Sequence, residues 1–126
     1  MKRLAEIIKP YLRLLRVGNL AFTAILLYVM EKWVAVPLLQ TAQFREQMPW
    51  WVLVLLIIST VMIAAGGYVI NDYFDVKIDR INRPDDMVVT RHISREGAMR
   101  LSMILSGNGV VTGLAAAWWA HSWTLM

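Results

Sequence analysis

Three aspartates, Asp72, Asp75 and Asp79, follow directly on a long apolar run, in a stretch that reads Gly-Gly-Tyr-Val-Ile-Asn-Asp-Tyr-Phe-Asp-Val-Lys-Ile-Asp-Arg-Ile-Asn-Arg-Pro from Gly66 to Pro84. Charge beside a membrane-like segment is costly and needs a reason. On a helix the spacings i, i+3 and i+7 bring all three carboxylates within a roughly 60° arc of one face. Like charges placed this way repel, so the arrangement favours partial protonation or a cation held between them. Hard oxygen donors without cysteine or histidine suit Mg²⁺, which takes one or two carboxylates, keeps several waters and bridges to phosphate oxygens. The stretch therefore reads as a platform for a metal and a diphosphate, with Asp72, Asp75 and Asp79 as metal-holding and catalytic residues. Asn71 offers a carbonyl oxygen or a hydrogen bond that orients a carboxylate, and Arg80 and Arg83 lie near enough in sequence to meet phosphate charge. The same pattern also fits a solvated helix end in which acids and arginines pair.

The elements that must position these residues are membrane helices. Of 126 residues, 58% are hydrophobic and only 17% charged, and the apolar residues come in blocks, as in a polytopic membrane protein. There is no cysteine, which excludes disulfides and thiolate metal sites. The net charge of +4 is concentrated beside the apolar blocks rather than in a stripe interleaved with aromatics, so it reads as membrane topology and not as nucleic-acid binding.

Residues 1–16 carry Lys2, Arg3, Lys9, Arg13 and Arg16 against Glu6, with apolar residues at helical spacing interrupted by Pro10. This is the pattern of a short basic segment lying on the membrane surface. Membrane helices are expected over 17–39, 51–75 and 98–119. Glu31 and Lys32 fall near the end of the first, where long side chains reach the headgroups, and Trp33 and Pro37 mark the same boundary. Asn19, at the other end, is placed to face a cavity shared with the acids. Residues 40–49 form a polar connection in which Arg45 and Glu46 cancel, and Trp50 and Trp51 open the second span. That span closes on Ala64-Ala65-Gly66-Gly67, small residues that admit a close neighbour. Pro84 ends the helix near Asn82. Residues 76–97 form a polar loop carrying the end of the acidic motif, Asp85 and Asp86 read as loop acids, and His92 reads as an exposed residue. Ser94 serves as N-cap of the third span, which is rich in glycine, serine and alanine and suited to tight packing. Lys and Arg crowd 1–16 and 76–100 while 40–49 is neutral, which puts the N-terminus and the acidic loop on the cytoplasmic side of the inner or plasma membrane.

The order Arg16-x-x-Asn19, Gly67-x-x-x-Asn71-Asp72-x-x-Asp75-x-x-x-Asp79, Asn82-Arg83-Pro84 and Ile93-Ser94 resembles the N-terminal part of the UbiA-type intramembrane prenyltransferases. The resemblance implies an all-α membrane bundle, of which these 126 residues supply about three transmembrane helices. It also implies Mg²⁺-dependent transfer of a prenyl group from a prenyl diphosphate to an aromatic or other lipid-precursor acceptor, in contact with membrane lipid. By that similarity Asp72, Asp75 and Asp79 hold metal and diphosphate, Asn71 assists, Asn19 faces the same cavity, and Arg83 binds phosphate. Two departures stand out. Asp85 and Asp86 follow Pro84 where many members carry glycine, which leaves the acceptor and donor unassigned. The family's second acidic motif has no counterpart either, since no aspartate follows Asp86. Ionising a prenyl diphosphate requires stabilised negative charge in a site shielded from water. The chain is therefore expected to be the front portion of an enzyme, inactive by itself and completed by a C-terminal half. Two alternatives come from other classes. A non-enzymatic three-helix accessory protein accounts for the length, and a CDP-alcohol phosphotransferase also uses spaced interfacial aspartates but requires Asp-Gly and Ala-Arg steps that do not occur here.

Overall fold

The computed structural model describes residues 2–42, 48–82, 84 and 87–124. Arg45, Glu46, Arg83, Asp85 and Asp86, all weighed above, lie outside the described residues. Helix α1 spans Lys2–Leu14, α2 Val17–Met30, α3 Val36–Thr41, α4 Trp50–Asn82 and α5 Arg95–Thr124. A π-helical turn over Glu31–Ala35 joins α2 directly to α3, with right-handed helical backbone at both junctions. Among the described residues there is no named strand, only an isolated bridge between Val89 and Ile93.

Three helical stretches are long and apolar enough to cross a membrane: Val17–Thr41, Trp50–Asn82 and Arg95–Ala120. The chain is an integral membrane protein. Its exposed residues include Phe22 at 67% and Trp33 at 76%, which in water would cost free energy and against lipid cost none. The π turn sits where Pro37, in the first turn of α3, lacks an amide hydrogen and crowds the carbonyl four residues back. Widening the helix by one residue per turn relieves that conflict.

Helix α4 decides where the acids stand. Its 33 residues extend to about 50 Å, against a hydrocarbon thickness of about 30 Å. Trp51 meets Trp119 of α5 edge-to-face with ring centroids 5.6 Å apart, an aromatic anchor of the kind found at an interface. Roughly twenty residues further on, one hydrocarbon thickness has been crossed, and Asp72 comes just beyond. The helix stops at Asn82, two residues before Pro84, as the proline requires.

The α4–α5 pair makes the most extensive helix contact of the fold, and it is built from small residues. A Cβ on Gly66 would collide with Ser106 Oγ and stand 3.0 Å from the Ser102 carbonyl oxygen. One on Gly109 would come 2.7 Å from Ile63 Cγ1. Two buried hydroxyls bridge the same seam: Ser59 Oγ donates to the Gly109 carbonyl at 2.7 Å and Ser102 Oγ to the Gly66 carbonyl at 2.9 Å. Close backbone approach and interhelical hydrogen bonds replace the hydrophobic drive that lipid cannot supply. Ser94 caps α5, accepting from the Gly97 amide at 3.0 Å, as its position before the helix leads one to expect.

Candidate functional site

Directly behind the acids lies a small apolar core of Leu14, Val69, Val76, Val88, Val89 and Ala98, with Tyr73, Met87 and Ile93 packed against it. It holds together the end of α1, the middle of α4, the loop 87–93 and the start of α5. The loop is a tight turn: the Thr90 amide donates to the Ile93 carbonyl at 2.7 Å and the His92 amide to the Val88 carbonyl at 2.9 Å. Tyr11 of α1 donates to the His92 carbonyl at 3.3 Å, so α1 is tied across the loop. Val69 and Val76 occupy the α4 face that meets this core; Asp72 and Asp79, three or four residues from these valines, border that face, and Asp75 lies further round and is exposed.

What they face is an open cavity of about 670 Å³ lined by Arg13, Arg16, Asp72, Asp75, Ile78, Asp79, Asn82 and Met87. All three sequence-selected acids line it, and two arginines from the α1–α2 junction stand opposite. The junction is made by Arg16 itself, whose backbone is left-handed at φ 50°, ψ 51°. That conformation costs a non-glycine residue roughly 1–2 kcal/mol, and it swings the guanidinium back over α4. There Arg16 Nη2 lies 3.3 Å from Asp72 Oδ1, and its guanidinium carbon sits 5.0 Å above the Tyr68 ring. Tyr68 is four residues before Asp72, on the same face one turn deeper. The ion pair is partly solvated, its side chains 46% and 25% exposed, which leaves the arginine able to exchange a carboxylate for another anion.

The remaining sequence candidates are dispersed. Asn19 opens onto a neighbouring groove of about 530 Å³ that shares Arg13 and Arg16 as a wall. Asn71 and Arg80 are exposed and do not line the acidic cavity. On the helix they fall about 100° to one side and 80° to the other of Asp72. Arg83 lies outside the described residues. His92 is exposed, as expected. Arg13, Arg16 and Tyr68 join the site without having stood among the residues singled out from the sequence. The available signals were the Arg16-x-x-Asn19 pattern and the i+4 step from Tyr68 to Asp72.

Among the described residues no three acidic or histidine side chains close on one point to form a ready-made metal cage. The rise per residue explains why, since i+3 and i+7 separate positions by about 4.5 and 10.5 Å along the axis. The donor set nevertheless fits Mg²⁺, an ion that draws one or two carboxylates from a protein and completes its octahedron with phosphate oxygens and water. Thiolate and imidazole are absent from the cavity wall, which disfavours softer ions.

Comparison with known proteins shows the family. The sequence signature of the UbiA prenyltransferase family matches residues 33–126. The chain belongs to the UbiA prenyltransferase family. It is 34% identical to the digeranylgeranylglyceryl phosphate synthase of Sulfolobus acidocaldarius over 107 residues, which cover 85% of this chain and 35% of that protein. It is likewise 34% identical to the synthase of the same description from Sulfurisphaera tokodaii over 108 residues, 82% of this chain and 34% of that one. A shorter match to the synthase of Ignicoccus hospitalis reaches 44% over 57 residues, 45% of this chain and 19% of that protein. The chain thus spans about a third or less of the length of these relatives. No solved structure matches it significantly. Membership of this family removes the motive for a CDP-alcohol phosphotransferase reading.

Proposed function

We propose that the acidic face of α4 holds the diphosphate head of a prenyl donor through Mg²⁺, for transfer of the prenyl group to a lipid-precursor acceptor. The observation that carries this reading is the meeting of Asp72, Asp75 and Asp79 with Arg13 and Arg16 across one open cavity. Carboxylates alone repel a diphosphate and arginines alone bind it without regard to metal. Facing one another, they suit an anion that arrives with a divalent cation.

Mg²⁺ would be held by Asp72, Asp75 and Asp79, and it would supply the positive charge that stabilises the departing diphosphate. Arg16 leaves Asp72 and donates to a phosphate oxygen, a charge-assisted bond at least as strong as the one it gives up. Arg13 meets the same head from the preceding turn of α1. Ile78 and Met87 form the apolar part of the wall and limit water near the scissile carbon–oxygen bond. When that bond breaks, the electron pair stays on the diphosphate, whose charge Arg13 and Arg16 would meet, and the allylic carbon bonds to the acceptor nucleophile, whose proton leaves with the released diphosphate. The chain's similarity to digeranylgeranylglyceryl phosphate synthases favours a glyceryl phosphate lipid as acceptor over an aromatic one. The basic flanks of the first and second spans support a cytoplasmic side for the N-terminus and the acidic cavity.

The test reads binding rather than turnover, because the chain covers about a third of its relatives. In nanodiscs, affinity for an unreactive prenyl thiodiphosphate is expected to require Mg²⁺ and to fall about tenfold or more in Asp75→Asn. Equal binding by both proteins, or binding that a chelator leaves intact, overturns the reading and returns the chain to the non-enzymatic alternative.

A further inference from the structure

Arg16 touches two groups at once. Its Nη2 lies 3.3 Å from Asp72 Oδ1, and its guanidinium carbon stands 5.0 Å above the ring of Tyr68. The first contact belongs to the acidic cavity, which Arg16 and Asp72 line together. The second does not, because Tyr68 is half-buried and stands behind that wall. It is an aromatic face turned to positive charge, an attraction that strengthens where water is excluded. Tyr73 also carries a guanidinium, that of Arg95 at 4.6 Å, but Tyr73 packs against the apolar core and lies about 100° round α4 from Asp72. That pair belongs to the scaffold.

Tyr68 also has the depth that the reacting carbons require. It lies about 27 Å along α4 from Trp50, just inside a hydrocarbon thickness of about 30 Å, with Asp72 one turn beyond. A prenyl diphosphate whose head is at Asp72 turns its chain toward the membrane, since isoprenoid carbons gain free energy by leaving water. The first isoprene unit then passes Tyr68, and Ala64 and Val61 continue the same face of the helix with apolar side chains. C1 and C3 of that unit are the atoms that carry charge when the donor ionises. The carbon–oxygen bond breaks with its electron pair going to the diphosphate, and one positive charge remains on the allylic unit. The acceptor nucleophile supplies the pair for the new bond to C1, and its proton leaves with the released diphosphate.

We infer that Tyr68 is the aromatic face on which this allylic cation forms, occupied by Arg16 until the donor's diphosphate draws the guanidinium away. The inference rests on the reading of the acidic cavity as the donor site, and it adds to that site a residue that meets the reacting carbons. In the empty site Arg16 serves the ring and Asp72 together. With the donor bound it gives up both for phosphate oxygens, which accept from its planar fork in pairs. The ion pair it leaves is partly solvated, its side chains 46% and 25% exposed, so the exchange is open to it. The ring is then bare when the cation appears beside it. An aliphatic side chain at position 68 would seat the isoprenoid by apolar contact but would offer its charge nothing further.

The experiment compares two unreactive donors in nanodiscs with Mg²⁺ present: the prenyl thiodiphosphate, whose tail is neutral, and an analogue in which a protonated tertiary amine replaces C3. Tyr68→Leu should weaken binding of the amine analogue about tenfold and of the thiodiphosphate less than about threefold. Tyr68→Phe keeps the ring and should bind both as the parent does. A ring that serves only the packing moves both affinities together, so their ratio is the readout. The parent by itself should bind the amine analogue more tightly than the thiodiphosphate, a comparison that needs no variant to fold. Equal or weaker binding there, an unchanged ratio in Tyr68→Leu, or a ratio that Tyr68→Phe loses as well overturns the inference. In each of these cases the parent still binds the thiodiphosphate with Mg²⁺. A parent that binds neither analogue marks instead the failure of the donor-site reading, and the inference falls with it.

Discussion

Replacing Arg16 with glycine separates what this residue does for the fold from what it does for the site. Its left-handed backbone, φ 50° and ψ 51°, is one that glycine adopts freely, so the substitution relieves about 1 kcal/mol of strain. Against that stand the greater freedom of glycine in the unfolded chain, about 0.5–1 kcal/mol, and the loss of a half-solvated ion pair to Asp72 worth about 0–1 kcal/mol. The sum lies within about 1 kcal/mol of zero, so the protein should unfold at nearly the temperature of the parent. Diphosphate binding should respond quite differently. A charge-assisted hydrogen bond to phosphate contributes about 1.5–3 kcal/mol, so affinity for the prenyl thiodiphosphate should drop about 10- to 150-fold in the presence of Mg²⁺. Thermal unfolding in detergent and calorimetric titration in nanodiscs read the two effects on one preparation. Loss of more than about 3 kcal/mol of stability would mark Arg16 as a structural strut, and unchanged affinity would remove it from the site.

Two further substitutions test the scaffold. Gly66→Val forces side-chain atoms into Ser106 Oγ and the Ser102 carbonyl; it should cost about 1–3 kcal/mol by overpacking and weaken diphosphate binding by displacing α4, both visible in chemical denaturation and titration. Ser94→Ala removes the bond to the Gly97 amide and should destabilise by about 1 kcal/mol, with faster hydrogen exchange confined to the first turn of α5.

How much of this was legible in the chain itself follows from which interactions are local. The end of α4 at Asn82 was written in Pro84, the start of α5 in Ser94, and the tight α4–α5 seam in Gly66, Ser102 and Gly109. The shared face of Asp72, Asp75 and Asp79 follows from helical period alone. The opposing wall does not. Arg16 reaches Asp72 across 56 positions of sequence, through a left-handed residue that no motif announces, so its place in the cavity depends on how α1 folds over the loop 87–93. Asn19 was expected beside the acids and opens instead onto the neighbouring groove. The turn of helix between Arg16 and Asn19 carries it past the shared arginine wall. Arg80 is adjacent to Asp79 in sequence, and that same closeness rotates it about 100° off the acidic face, while Asn71, one turn before Asp75, lies at the edge of that face and outside the cavity lining.

The central claim is that the aspartates of α4 gather a divalent ion which grips a diphosphate. Manganese substituted for magnesium makes this directly visible, because a bound Mn²⁺ in contact with a phosphate shows phosphorus hyperfine coupling in its magnetic resonance spectrum. With the prenyl thiodiphosphate present, the protein in nanodiscs should show that coupling, and Asp72→Asn, Asp75→Asn and Asp79→Asn combined should abolish it. Mn²⁺ left free in solution beside intact aspartates and bound analogue, or coupling that survives the triple substitution, would contradict the account.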